Sequence, residues 1–344
     1  MRVRAEDETN NFTLLRLLLS VAVVFGHFKL LSGTDYPTFP FNLADAAVDC
    51  FFIVSGYLIA LSYERTRGLL PFYIRRFFRL YPMYACIVLI QSGIMLALLP
   101  GGPFSQPEQT WHYLAANLVF ANFLQYDIGG VLSGLAVPSI NPSLWTLKIE
   151  LGFYLIVPLI YAGVRRWGFK VLLAIFVASV AYNVIELQLG DPRYAKQLPG
   201  QLQFFVVGMA LYLYARDVRL PAWITPIVTV LFLVAWSNFH PIPPGIRPLV
   251  VAAFVFCVAF CTPVVHMRTD MSYSVYLVHG PLIQTLLLTG VFRDTPIALI
   301  GVVAAVLALS YAAERLVERP GNEFGRRLSM RVHRPRPAAL ARAA

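Results

Sequence analysis

Residues 14–28 read LLRLLLSVAVVFGHF. The run is apolar except for Arg16, Ser20 and His27, and with its neighbours it covers about 13–31, near the length a helix needs to cross a bilayer. Ionisable side chains inside such a run are costly, and they usually mark a functional path. The spacing adds to this. Eleven residues at 100° each end about 20° past three full turns, so Arg16 and His27 share one helix face, roughly 16 Å apart along the axis. Taken singly, the Arg can snorkel to headgroups and the His can bond within a bundle. Aligned on one face, they place a permanent cation and a titratable imidazole on one line.

The rest of the chain extends this reading. Its 344 residues are 58% hydrophobic and 13% charged, with mean hydropathy +0.65. A soluble domain is nearer 45–50% apolar and about 25% charged. The composition therefore predicts an all-α, polytopic integral membrane protein. No cleavable signal peptide is expected, because the first apolar run follows MRVRAEDETNN, lacks a small-residue cleavage site and carries Arg16. Cys50, Cys86, Cys257 and Cys261 show no metal-type pairing, so neither a disulfide nor a metal site is expected.

Apolar runs predict about ten transmembrane helices in one bundle, near 13–31, 46–63, 81–99, 145–163, 171–188, 200–215, 222–237, 247–265, 272–290 and 295–316. An eleventh stretch, 112–126, is too short to span and reads as interfacial or re-entrant. With both termini cytoplasmic, 21 of the 28 basic residues fall inside, including Arg65, Arg67, Arg75, Arg76 and Arg79 in one loop, and five fall outside. Arg16 and Lys148 lie within the membrane. The outer loop 100–144 has no Lys or Arg. The net charge of +10 thus reads as topology, and nucleic acid is excluded as a partner. Residues 1–12 form a cytoplasmic segment, 13–320 the membrane domain, and 321–344 a basic, disordered cytoplasmic tail suited to anionic lipid.

Two groups of residues suggest chemistry. Arg75, Arg76 and Arg79 precede the third span amid aromatics, where planar guanidiniums can bind phosphates in bidentate fashion or contact lipid headgroups. On the outer side, His27 lies near Asp45 and Asp49 at the start of the second span and Glu150 in the outer third of the fourth. A carboxylate beside a His can orient the ring and stabilise its charged form. Lys148 is an alternative partner for Glu150, although i,i+2 residues do not face each other on a helix. Ser55 lies mid-span without a GxSxG context, and such a Ser more often bonds its own backbone. His279 is a second intramembrane His that lines the same cavity or packs.

Together, NNFTLLRLLLSVAVVFGH, VDCFFIVSGYLI, FYIRRFFRLYP, SLWTLKIELGFYLIVP, FFVVGMAL, MSYSVYLVHGPL and AERLVERPGN resemble the acyltransferase-3 family, over about residues 10–320 and in the family's order. These are integral-membrane acyltransferases that modify bacterial surface glycans, lipids and some antibiotics. The resemblance implies a multi-pass protein of the bacterial cytoplasmic membrane. It implies an acyl-CoA donor, commonly acetyl-CoA, no permanently bound cofactor, and a hydroxyl acceptor on a glycan or lipid-linked oligosaccharide.

His27 takes the family's essential-histidine position, and Arg16, Arg76 and Arg79 fall on positions associated with donor handling. Leu17 stands where many members have Gly, and Thr146 and Lys148 replace a serine-rich version of the fourth-span motif. Both departures leave donor and acceptor choice open.

On this reading CoA phosphates dock at Arg75, Arg76 and Arg79, and the pantetheine arm runs along the Arg16–His27 face. His27 acts as base with Glu150 or Asp49 orienting it, and Tyr154, Tyr276 or Ser55 line the cavity or stabilise an oxyanion. A transporter or flippase of a lipid-linked sugar is the rival class, since intramembrane charges fit that too, but no inverted repeat is visible.

Overall fold

A computed structural model of the chain describes residues 10–34, 38–66, 68–238, 241–291 and 295–332. The N-terminal residues 1–9, Arg67 and residues 333–344 lie outside these. The described residues are helical or irregular. In chain order the helices are α1 (Phe12–Ser32), the short α2 (Thr38–Phe41), α3 (Ala44–Arg65), α4 (Leu69–Leu98), α5 (Pro107–Leu118), α6 (Trp145–Trp167), α7 (Phe169–Gln188) and the short α8 (Pro192–Ala195). They continue with α9 (Leu198–Ala210), α10 (Ile224–Asn238), α11 (Ile246–Phe260), α12 (Ser272–Leu288), α13 (Pro296–Ala313) and α14 (Arg319–Val332). A 3-10 turn, Pro142–Leu144, leads into α6, and wider π turns at Leu211–Ala215 and Glu314–Glu318 extend α9 and join α13 to α14.

Among the described residues, seven helical stretches are long and apolar enough to cross a membrane, which marks a multi-pass membrane protein. The other three spans read from the sequence fall on α10, α11 and α12, of 15, 15 and 17 residues. The 112–126 stretch forms only the end of α5, which stops at Leu118. Phe120 then takes a left-handed conformation (φ 64°) and stacks on Tyr84 at 4.1 Å between centroids.

Packing explains the entry into α1. Buried Asn11 donates to Thr262 Oγ1 (2.7 Å) and Pro263 O (3.0 Å), and accepts from Val265 N–H (2.8 Å), fastening α1 to the chain leaving α11. Small residues set the closest helix contact. A Cβ on Gly56 would lie 2.1 Å from Phe205 O, and one on Gly208 would lie 2.0 Å from Ile53 O, so α3 and α9 meet backbone to backbone.

Two sequence expectations need correction. The arginines 75, 76 and 79 are not in a loop ahead of a span at 81–99. They lie within α4, whose 30 residues begin at Leu69, just after Gly68 (φ 102°). At 1.5 Å per residue α4 is about 45 Å long, more than a hydrocarbon core of about 30 Å, so a basic first half fits at the membrane edge. The tail also does not begin at 321. Residues 321–332 continue as α14, which lies against α4 because Gly321 and Gly325 leave no side chain to hold it off Pro82 and Phe78. Arg75 Nε donates to Ser329 Oγ at 2.8 Å across this contact.

Candidate active site

The site is built along the paired helices α1 and α12. At one end Arg16 bonds Asp270, just ahead of α12, at 2.9 Å. At the other, His27 Nδ1 lies 2.7 Å from His279 Nε2. The two residues that the sequence aligned on one face of α1 are thus each matched by a partner from one neighbouring segment.

The arginine end is a network. Arg79 spans Asp270 (3.2 Å) and the buried Glu318 (2.5 Å), and Glu318 also accepts from Ser274 Oγ (2.7 Å). Burial alone would raise the Asp270 carboxyl. The guanidiniums of Arg16 and Arg79, with bonds from the Ser272 hydroxyl and N–H, outweigh it and hold Asp270 at about 2. Arg76 differs from its neighbours. Its Nη2 donates to Ser62 Oγ (2.7 Å), and its guanidinium lies near the rings of Tyr154 (5.6 Å) and Phe72 (6.0 Å). It has no carboxylate partner among the described residues, and its buried Nε is unbonded.

A cavity of about 800 Å³, counted with its open mouth, runs from this network into the bundle. Arg16, Arg76, Arg79, Ser55, Glu150, Tyr154, Thr146 and Tyr276 line it. Tyr154 donates to Glu150 Oε1 at 2.5 Å. Lys148 does not pair with Glu150. It sits over the Phe123 ring at 4.7 Å. At the far end, Thr146 Oγ1 and Tyr276 OH meet at 2.9 Å, with Ser143 O 3.0 Å from the first and 3.4 Å from the second, so that one hydroxyl donates to the other and the other to Ser143 O.

Ser143 is the link to the histidines. Its Oγ lies 3.2 Å from His279 Nε2 and 3.4 Å from His27 Nδ1. The turn that carries it is fixed by Asn141, whose Nδ2 donates to Leu277 O (2.9 Å) in the space that Gly280 leaves open.

The bonding pattern assigns the protons. Val275 O can only accept, so His279 Nδ1 donates to it at 3.0 Å. His279 Nε2 is then an acceptor, and His27 Nδ1 donates to it. Neutral His27 therefore keeps its lone pair on Nε2, which bonds nothing else among the described residues. A free imidazole nitrogen held in one tautomer can take a proton from a hydroxyl.

The sequence-derived candidates separate accordingly. His27 and His279 come together. Arg16, Arg76, Arg79, Ser55, Glu150, Tyr154 and Tyr276 share the cavity. Asp49 does not reach His27. It accepts from Arg247 Nε at 2.6 Å in a separate cavity, because a buried carboxylate is held by the nearest cation. Glu150 bonds Tyr154 instead of His27, and Arg75 faces α14. Ser143, Asp270 and Glu318 were missed. Their partners lie 44 to 254 positions away in the chain, and only SLWTLKIEL, MSYSVYLVHG and AERLVERPGN as motifs drew attention to their neighbourhoods.

Among the described residues, no group of three His, Cys, Asp or Glu is arranged to hold a metal ion.

A multi-pass helical bundle holds a cavity that ends at Thr146 and Tyr276, beside the turn whose Ser143 meets a histidine pair; this is the arrangement of a membrane enzyme, and sequence comparison identifies its family. The acyltransferase domain family matches residues 9–315, and the chain belongs to that family. The chain is 30% identical to an O-acetyl transferase of Shigella phage Sf6, covering 91% of this chain and 96% of that one. It is 28% identical to nodulation protein 10 of Rhizobium leguminosarum bv. viciae (93% and 96% covered) and 27% identical to a putative membrane-bound transacylase, BcsY, of Komagataeibacter xylinus (86% and 81%). No solved structure matches significantly.

Proposed function

We propose that the protein transfers an acyl group, most simply acetyl, from cytoplasmic acyl-CoA to a sugar hydroxyl of an exopolysaccharide or other surface glycan at the outer face of the bacterial cytoplasmic membrane. Ten spans with both termini inside give the orientation, carried by the bias of basic residues toward one side. The arginine end then faces the cytoplasm, where CoA is made, and the histidine end faces out.

The observation that carries this reading is the cavity running from Arg76, a guanidinium without a carboxylate partner among the described residues, to Thr146 and Tyr276, which adjoin the turn whose Ser143 Oγ lies 3.4 Å from His27 Nδ1. The donor's phosphates lie at Arg76 and the mouth beside Arg79, and the pantetheine arm follows the cavity past Tyr154. His27 Nε2 takes the proton of the acceptor hydroxyl as its oxygen attacks the thioester carbonyl. The tetrahedral intermediate collapses, the C–S bond breaks, and the proton passes from His27 to the departing thiolate, leaving an ester and free CoA. One of the Thr146 and Tyr276 hydroxyls at the end of the cavity, turning from its present acceptor, donates to the carbonyl oxygen as it becomes anionic.

The relatives named as an O-acetyl transferase and an exopolysaccharide production protein, the latter from Rhizobium meliloti, support the same direction. The test is membranes containing the protein, supplied with acetyl-CoA labelled in the acetyl group and a cell-envelope glycan fraction. Label should enter the glycan as an alkali-labile ester, and His27→Ala should abolish it. Undiminished transfer by that variant would remove His27 as base. CoA binding to the purified protein separates this reading from a flippase, which needs none.

A further inference from the structure

Beside the donor cavity lies a second one, bounded by α3, α7, α9 and the segment leading into α11. Its floor is the ion pair Asp49–Arg247, which is already neutral. Its mouth carries Asp45 and Lys196, each 59% exposed and 3.9 Å apart. Trp145 forms one wall, with Lys196 Nζ 5.9 Å from its ring centroid.

Between mouth and floor, Asn183 and Gln201 both donate their amide N–H to Ala195 O, at 3.1 and 3.0 Å. These bonds hold both amides rigid. The residues are only 9% and 6% exposed, yet among the described residues Asn183 Oδ1 and Gln201 Oε1 accept no hydrogen bond, and neither is among the fully enclosed unpartnered atoms. Buried amide oxygens normally have a donor, so two fixed acceptors open on the cavity await one.

One turn connects this cavity to the chemistry. Ser143 faces the histidine pair, Thr146 lines the donor cavity, and Trp145 between them lines the second cavity. Val48 of α3 borders both cavities.

We propose that this second cavity is the acceptor subsite and holds a sugar ring, with Asn183 and Gln201 accepting from its hydroxyls and the Trp145 ring against its C–H face. The proposal rests on the acyl-transfer reading above. Paired charges disfavour an anionic ligand here, and a polyhydroxylated ring supplies the donors that the two oxygens lack.

The test uses the full chain in phosphatidylcholine nanodiscs, with methyl β-glucoside, methyl β-galactoside and methyl α-mannoside as probes, read by saturation-transfer NMR. At least one glycoside should bind, and Gln201→Leu and Asn183→Leu should each weaken it about tenfold or more. Asp45→Ala, at the exposed mouth, tests the same site without touching the interior, and should also weaken binding. Arg76→Ala, on the donor side, should bind glycoside as the native protein does.

Absence of binding by all three probes, or native binding by all three cavity variants, overturns the proposal. Labelled transfer from acetyl-CoA distinguishes the failures. Glycoside binding without any transfer would count against the acyl-transfer reading. Transfer with unchanged acceptor KM in the variants would count against this subsite alone.

Discussion

His27 Nδ1 and His279 Nε2 meet at 2.7 Å, and the Val275 carbonyl behind His279 decides the direction of that bond. His279 is thus a positioning residue. It holds His27 in the tautomer whose Nε2 is free, the role a carboxylate plays in many other sites. His27→Ala should lower kcat by about 10²–10⁴, the usual range for a general base. His279→Ala should lower kcat by a smaller factor, about 10–100, with the KM for acyl-CoA unchanged. His279→Gln, which can offer Oε1 to His27, should recover part of the loss. Steady-state kinetics on purified variants, with melting temperatures to confirm folding, check all three. Equal kcat values for His279→Ala and the native enzyme would leave the ring pair as packing only.

The three arginines of α4 should behave differently, although the sequence presents them as one cluster. Arg76 has no carboxylate partner among the described residues, so Arg76→Ala should raise the acyl-CoA KM by about 10–100-fold, as expected for loss of a charge-assisted bond worth about 1.5–3 kcal/mol. Arg75 bonds Ser329 of α14, so Arg75→Ala should leave donor KM near native and loosen α14, seen as faster proteolysis after residue 318. Arg79→Ala leaves Glu318 buried without its cation, which costs about 3–5 kcal/mol, and the protein should fail to accumulate. Expression, protease mapping and donor titration separate the three.

Much of this organisation is legible in the sequence, and what is not has a physical reason. Apolar run length marks the helices, because a bilayer requires it. The 11-residue interval marks a shared face of α1, because helix geometry is local. Partner choice is not local. Nothing near Asp49 in the chain announces Arg247, 198 positions on, and nothing near Arg79 announces Glu318. Asp49 looked like a support for His27 because both lie toward one end of their spans, but depth in the membrane does not fix the direction a side chain faces. Arginines in a run such as YIRRFFRLY read as a loop because charge usually ends a span. Here α4 simply continues past the length that the hydrocarbon needs.

The α3–α9 contact gives a prediction about folding instead of catalysis. A methyl group on Gly56 or Gly208 meets a backbone carbonyl oxygen near 2 Å, and no rotamer change can relieve that. Each Ala variant must separate the two helices and should cost more than about 3 kcal/mol, the upper end of ordinary overpacking. Fluorescence-detected size exclusion should show loss of the monodisperse peak. Gly93→Ala, where a Cβ meets nothing within 4 Å, should leave that peak unchanged.

The Asp270 carboxyl sets a pH window for stability. Its folded value, about 2, lies below the ordinary value near 4, because Arg16 and Arg79 favour the ionised form over the cost of burial. A group depressed by folding stabilises the protein above its unfolded value and loses that contribution as pH falls through the folded one. At 1.36 kcal/mol per pKa unit the contribution is about 2 kcal/mol, complete above about pH 4 and gone below about pH 2. Asp270→Asn should therefore melt well below the native protein at pH 7, and the gap should narrow as pH falls from 4 toward 2. Paired thermal melts in detergent across that range measure it. A gap that stayed constant with pH would mean that the substitution acts through the lost hydrogen bonds to Ser272, and not through the charge shared by Arg16 and Arg79.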